Sequence, residues 1–456
     1  MTEEAMEAVP GRPRGTSLVR ALAWFVVSYG LAVVGYAAAN AVAGRWFGKE
    51  SYGLFVVVVT VSAAIGQLGL LGTHRGGLRA AAQGDGELDD ATLRLLRADA
   101  AVASRLSLPL AGVLSGVVMF LVADADTPTR VALGVGFALL VLFSGQQKLW
   151  ANYLRGLGHV RQASLLEGRS GGAVVSFTQA VLLLLAWQLA PQLGLAGAVG
   201  ALVLGFAVPV MAAGRIVHQR LAPVAATELE LFRNLPGAVR RNWRFAANQL
   251  ALYIAGTVEI WIAGVVLTSE AGSEFAAAQR LALLLMIPLT SIQVVFAPVS
   301  ARLIARGETA RLESVLRTGA TLAAVGTSFL WLPMLLTPEL ILGLLYGDEF
   351  SSAALPLFLL TLGNVVYVGS GLCGVALVMS HHEGTVATIQ TVSTVVRIVA
   401  GIAAALLFGV AGLAASSAIV TSVTYAVLWV QAKRLLGLWT QPTLRPQWGV
   451  LRRTRS

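Results

Sequence analysis

Apolar stretches of about twenty residues follow one another along almost the whole chain, each ended by a short polar or glycine-containing break. Runs of that length match the roughly 20 residues a helix needs to cross a bilayer. Twelve spanning helices are predicted, at 22–43, 52–71, 101–122, 131–147, 171–190, 194–214, 245–267, 275–299, 318–336, 354–379, 385–408 and 411–431. A membrane barrel would instead alternate polar and apolar positions in segments of about ten residues. The pattern therefore predicts an all-α polytopic membrane protein.

The breaks carry further information. The stretch 215–244, charged throughout and holding Pro223 and Pro236, is the longest predicted connection on its side and lies between the sixth and seventh helices. It divides the chain into two six-helix units, 1–220 and 221–456. The sixth helix opens on GLAG (Gly194 to Gly197) and the twelfth on GVAG (Gly409 to Gly412), each after a very short turn. Parallel repeats of this kind are common in transporters. The connection 337–353, with LLYGDEFSSA, is expected to form a small surface helix. Arg12, Arg14 and Arg20 followed by Leu22 to Ala43 imitate a signal peptide. The apolar run is longer than an h-region, so an uncleaved first helix is expected. Prolines at 109, 209, 288, 298, 333 and 356 fall within predicted helices, where each removes a backbone hydrogen bond and bends its helix. Pro288 and Pro298 make the eighth helix a candidate hinge.

Composition agrees with the pattern. The chain is 56% hydrophobic and 12% charged, against roughly 25% charged in soluble domains. The net charge of +10 would point to nucleic acid in a soluble protein. Its distribution gives another reason. Of the 33 Lys and Arg residues, 27 fall in segments predicted on one side and three (Arg45, Lys49, Arg130) on the other. The remaining three, Arg105, Arg280 and Arg397, lie within helices. Basic residues collect in cytosolic loops, so both termini are expected in the cytosol and no nucleic acid need be invoked. The single Cys373 can form no internal disulfide, and no metal site is expected.

The intramembrane charges are the candidate chemistry. In TVSTVVRIVAGIAAALL (391–407), Arg397 sits about twelve residues from either end of its helix, near the bilayer midplane. An unpaired arginine there costs about 2.5–3.5 kcal/mol or more. Gln390 and Thr394 share its face by helical spacing. Glu259 and Arg280 lie at similar depth on neighbouring antiparallel helices and are expected to pair, with Gln279 and Gln293 adding polarity. Arg105, near the end of the third helix, is expected to reach the headgroups. All five histidines (His74, His159, His218, His381, His382) map to predicted cytosolic segments, and Glu259 is the only acid placed at depth, so no chain of acids and histidines for protons is expected. The balance is positive and suits an anion; the planar guanidinium fork suits phosphate. The candidate substrate-binding residues are Arg397, Arg280, Glu259, Gln390, Thr394 and Gln279. The sequence contains no Walker motif, dinucleotide fingerprint or nucleophile elbow, so neither an enzyme nor a bound cofactor is expected.

Four stretches carry a resemblance: AVAGRWFGKESYGLFVVVVT (41–60), FAAAQRLALLLMIPLTSIQVVFAPVSARL (275–303), ILGLLYGDEFSSAALPLFLL (341–360) and GVAGLAASSAIVTSVTYAV (409–427). Over nearly the whole chain it resembles the Wzx-like polysaccharide transporters, flippases of lipid-linked oligosaccharides in the multidrug/oligosaccharidyl-lipid/polysaccharide flippase superfamily. Lys49 stands where such proteins often have proline. The resemblance implies a MATE-like V of two lobes around a cationic cavity. An undecaprenyl pyrophosphate-linked oligosaccharide would cross the bacterial cytoplasmic membrane there by alternating access, for surface polysaccharide or lipopolysaccharide biosynthesis. Membrane lipids and the glycosyltransferases and polymerase of that pathway would be its partners. Arg280, in the matching eighth helix, transfers best. A drug or cation antiporter of the same superfamily would call for acids in the N-terminal lobe, where none is placed at depth. A membrane glycosyltransferase or polymerase would call for a sizeable outer loop, and these loops are short.

Overall fold

The computed structural model describes residues 15–82, 89–166, 172–221 and 231–447; Pro223 and part of the 215–244 connection lie outside them. The described residues form sixteen α-helices and four short π or 3-10 pieces, with no strand. In the first half these are α1 (Gly15–Gly69), α2 (Thr73–Ala82), α3 (Asp90–Val102), a π-helical turn (Ala103–Ser107), α4 (Leu108–Val122), α5 (Thr127–Gly156), α6 (Val160–Leu166), α7 (Gly172–Leu189), a 3-10 turn (Pro191–Leu193) and α8 (Gly194–Leu221). The second half has α9 (Leu231–Val266), α10 (Ser269–Ala282), a 3-10 turn (Leu283–Met286), α11 (Ile287–Ala305), α12 (Thr309–Leu336), α13 (Pro338–Tyr346), a 3-10 turn (Asp348–Ala353), α14 (Ala354–Gly369), α15 (Cys373–Met379) and α16 (Glu383–Leu436). In lipid, backbone N–H and C=O groups find no water, and helices satisfy them internally.

Ten helical stretches among the described residues are long and apolar enough to span a membrane. Two of them are hairpins. In α1, Gly48 has φ 58° and ψ −170°, and Tyr52 Oη donates to Asn40 Oδ1 at 3.0 Å. Twelve residues of unbroken helix would hold those residues about 18 Å apart. In α16, Gly409 has φ 61° and ψ −145°, and Ser393 Oγ lies 2.5 Å from Thr424 Oγ1 across the turn. Counting both limbs of each hairpin gives the twelve expected spans, and the protein is a multi-pass membrane protein. Gly194, between α7 and α8, has φ 47° and ψ −131°, close to Gly409. The GLAG and GVAG turns thus share one backbone conformation that side chains other than hydrogen disfavour.

The halves pack mostly within themselves: α1 on α7, α4 and α8 on α5 in the first, and α14, α15 and α9 on α16 in the second. Helix α1 crosses over to α9, α10 and α13, and α2 and α3 reach α9. Helix α4 shows how lipid and protein faces separate. Gly112 and Gly116 close onto the backbone of Ala138 and Gly134 in α5, a small-residue seam of the kind that lets membrane helices approach. Leu110, Val113, Leu114, Val117, Val118 and Leu121 point outward.

Several boundaries differ from expectation. Pro236 lies inside α9, which starts well before the predicted 245. Pro288 sits in the first turn of α11, where a missing N–H costs nothing, and the predicted eighth helix is interrupted by the 3-10 turn before it. The 337–353 connection is helical as expected, but it is half plug and half surface. Leu342, Tyr346 and Phe350 are buried, with Tyr52 packed edge-on against both rings, while Leu340 and Leu344 are exposed. The predicted basic-side loops also hold α2, most of α3 and α6.

Replacing Gly409 by Ala is expected to cost about 1–3 kcal/mol. Gly384, in open space within the same helix, is the control. Thermal unfolding in detergent should show a lowered midpoint for the first variant and little change for the second.

Candidate functional site

Twelve residues before Gly409, Arg397 lies about 18 Å along α16 from the turn. Its Nη1 donates to Glu259 Oε1 at 2.5 Å and to Ser417 Oγ at 3.3 Å, and its Nη2 donates to Thr421 Oγ1 at 2.9 Å. Gln279 Nε2 donates to the other carboxylate oxygen of Glu259 at 3.2 Å. The chain thus ties α9, α10 and both limbs of α16 through one buried carboxylate. This corrects the expected Glu259–Arg280 pair: similar depth allowed either arginine, and the fold brings Arg397. Ser417, Thr421 and Thr424 form a polar stripe at helical spacing, folded back onto Arg397 by the turn at Gly409.

Arg280 faces the other half. Its guanidinium lies over the Tyr36 ring, 5.4 Å from the centroid. The side chain is buried, forms no ion pair among the described residues, and its Nε has no hydrogen-bond partner there. Gln279 Oε1 beside it is likewise buried and unbonded. The ring stands in where a carboxylate was expected, since an aromatic face attracts a cation without neutralising it.

A second cation was missed by sequence. Lys148 was counted with the basic loops, yet it lies within α5, with Nζ 3.2 Å from Gln67 Oε1 and 5.0 Å from the Tyr253 ring centroid. Tyr253 belongs to α9 and its hydroxyl donates to Thr60 O at 3.0 Å; Trp261 Nε1 donates to Thr60 Oγ1 at 3.0 Å. Gln67 also meets His74 at 3.3 Å. The seam between the halves is therefore lined by aromatic and amide groups with two cations that no described carboxylate compensates. The signal in the sequence was Gln67 and Lys148, polar residues at the ends of otherwise apolar runs.

His74, expected in a loop, is buried in α2. Its pKa falls to about 3, first from burial and then from Arg75 and Lys148 nearby. The imidazole is neutral at pH 7, mainly because it is buried.

Gln390 and Thr394 stand apart. Gln390 lines a separate cavity of about 260 Å³ within the second half, with Gln293, Tyr367, Cys373 and Tyr425. Thr394 Oγ1 donates to its own helix at Gln390 O, 2.8 Å away. Neither shares a hydrogen bond with the Glu259–Arg397 cluster.

The seam is tied at both ends. Toward the face away from the basic connections, Lys49 Nζ meets Glu274 Oε1 at 2.6 Å and Ser352 Oγ, while Arg45 Nη2 donates to Leu344 O at 2.6 Å. Arg45 thus caps the carbonyl end of α13. At the other face, Arg241 Nη2 pairs with Asp99 Oδ1 at 2.5 Å, and Asn242 Nδ2 donates to Asp99 Oδ2 at 2.9 Å. Asp99 was counted with a loop; it is a second buried acid, already held by α9. No group of His, Cys, Asp and Glu suited to a metal ion occurs among the described residues.

No protein-family model and no curated protein matches this chain. Solved structures do. A multidrug resistance MATE family transporter of the MOP superfamily, in an inward-facing conformation, is 16% identical over 89% of this chain and 94% of its own, with TM-score 0.59. The Vibrio cholerae MATE transporter VcmN in the bent form is 14% identical over 93% of this chain and 98% of its own, TM-score 0.58. A MOP superfamily transporter from Pyrococcus furiosus, described by a reversed polarity of its binding pocket, is 16% identical over 94% and 99%, TM-score 0.53. The chain therefore has the MATE fold of twelve helices in two six-helix lobes.

Two outcomes test the geometry. Glu259→Gln strands Arg397 in a low-dielectric site and should lower stability by about 3–5 kcal/mol; adding Arg397→Met should restore much of it in thermal unfolding. His74 has a folded pKa below its unfolded value of about 6.5, so its contribution is full above that pH and is lost as pH falls from about 6.5 toward 3. His74→Gln should flatten the decline in melting temperature between about pH 6.5 and 5.5.

Proposed function

We propose that the protein translocates a lipid-linked, anionic oligosaccharide across the membrane, by rocking its two lobes about the seam. The observation that carries this reading is the uncompensated pair of cations, Arg280 and Lys148, facing the seam from opposite halves. The one deep carboxylate nearby, Glu259, is occupied by Arg397. A diphosphate headgroup would supply the negative charge that these two cations lack, and arginine binds its oxygens in pairs. Tyrosine and amide groups along the seam, Tyr36, Tyr253, Gln67 and Gln279, suit hydroxylated sugars, while the polyprenyl tail stays in lipid.

In this reading the Glu259–Arg397 pair is a positioning element. It holds α9, α10 and α16 together while Arg280 and Lys148 contact substrate. Opening at one face releases the Lys49 and Arg45 ties; opening at the other releases Asp99 from Arg241 and Asn242. The chain would sit in a bacterial cytoplasmic membrane with its basic connections in the cytosol, consistent with their charge. Glycosyltransferases and a polymerase would act before and after it. A second reading, export of drugs or cations, is favoured by the MATE transporters among the structural neighbours.

Reconstituted vesicles separate the two. With a fluorescent undecaprenyl pyrophosphate-linked oligosaccharide, flipping is read as loss of lectin access. Arg280→Gln and Lys148→Gln should each slow it roughly tenfold or more, the worth of a lost hydrogen bond to a charged group. Unchanged flipping in both variants, or an absence of flipping alongside gradient-driven efflux of a cationic dye that needs Glu259, would favour the antiporter.

A further inference from the structure

A second basic cavity lies outside the seam. Between the π-helical turn before α4, helix α5 and helix α8 is a crevice of about 640 Å³. Arg105 and Arg215 line it, with Gln146, Trp150 and His218 among the other walls. No carboxylate lines it, and neither arginine forms an ion pair among the described residues. Both guanidinium groups are exposed.

The local chemistry places Arg105 there. Pro109 has no N–H to give the carbonyl of Arg105, and the preceding turn widens to a π-helix over Ala103–Ser107. Ser107 Oγ fastens that turn to Gly69 O at 2.6 Å. On the facing wall, His218 is bonded to Gly214 O at 2.7 Å and packs edge-on against Trp150, ring centroids 5.3 Å apart. These contacts hold the back of the crevice.

Depth identifies the occupant. Arg105 is 17 residues from the far end of α4 at Val122, and Arg215 is 21 residues from Gly194, the far end of α8. At 1.5 Å per residue these are about 25 and 31 Å, close to the full hydrocarbon thickness. The arginines therefore stand at the headgroup level on the side of the basic connections. Above them Val208 and Met211 on α8, and Leu110 and Leu114 on α4, are exposed and lipid-facing. A cationic mouth beneath apolar rails is the shape of an anionic phospholipid.

We propose that this crevice binds the phosphate headgroup of an anionic membrane lipid from the leaflet on the basic side, with its acyl chains along α4 and α8. The site is distinct from the seam and independent of what the protein transports.

The test uses the full chain, purified in detergent and stripped of lipid. Phosphatidylglycerol, phosphatidylcholine and inorganic phosphate are titrated separately, and bound molecules are counted by native mass spectrometry. Wild type should hold one phosphatidylglycerol that the Arg105→Gln, Arg215→Gln double variant loses. Each basic residue near an anionic surface is worth roughly fivefold, so affinity should fall on the order of thirtyfold. An Arg105→Lys, Arg215→Lys variant should keep most of the binding and shows that the protein tolerates change there. Equal phosphatidylglycerol binding by wild type and the Gln variant overturns the proposal. So does phosphatidylcholine binding as tightly as phosphatidylglycerol, or inorganic phosphate competing at equal concentration, since each removes the requirement for an anionic lipid.

Discussion

A carboxylate and a guanidinium cannot be left alone in hydrocarbon, and the second lobe is organised around that constraint. Glu259 and Arg397 meet at 2.5 Å, and three further side chains bond to them: Gln279 to the acid, Ser417 and Thr421 to the base. Truncating either ion leaves the other buried and charged, which is far costlier than removing both. The pair therefore specifies which helices are neighbours more than it adds stability. With it satisfied, Arg280 is left to face the opposite half over a ring rather than an acid.

The two cations at the seam are held in different ways, and the difference matters for chemistry. Arg280 is fixed by burial and by the quadrupole of Tyr36, an arrangement that orients the guanidinium without cancelling its charge. Lys148 is a compact charge against Gln67 and Tyr253, facing a neutral His74. One offers a planar fork and the other a point charge, each held by neutral groups at its own position along the seam.

The helices were legible because membrane spans announce themselves by length and apolarity, and the hairpins because GKESYG and FGVAG interrupt long runs with glycine. Helix ends were less legible. Pro236 read as linker yet sits within α9, where it removes one backbone hydrogen bond without ending the helix. Counting basic residues by segment put Lys148 in a loop, and starting the third helix at 101 left Asp99 outside it: composition records how many charges a segment holds, while only packing decides whether its last turn is buried. Similar depth could not choose between Arg280 and Arg397 as the partner of Glu259, since depth fixes one coordinate of three. Helical periodicity correctly placed Gln390, Thr394 and Arg397 on one side of the helix, but the limb after Gly409 takes Arg397 alone into the ion pair.

The contacts of Arg45 and Lys49 have a consequence for the energetics of motion. They join a hairpin tip of the first lobe to the carbonyl end of α13 and to Glu274 of the second; Arg45 is exposed, while the Lys49 and Glu274 side chains keep only 17% and 15% of their surface open. Exposed charges are screened over about 8 Å in physiological medium, and partly buried pairs much less. Salt on that side therefore acts first on Arg45 and little on the Lys49–Glu274 pair, which keeps the two halves joined at that rim.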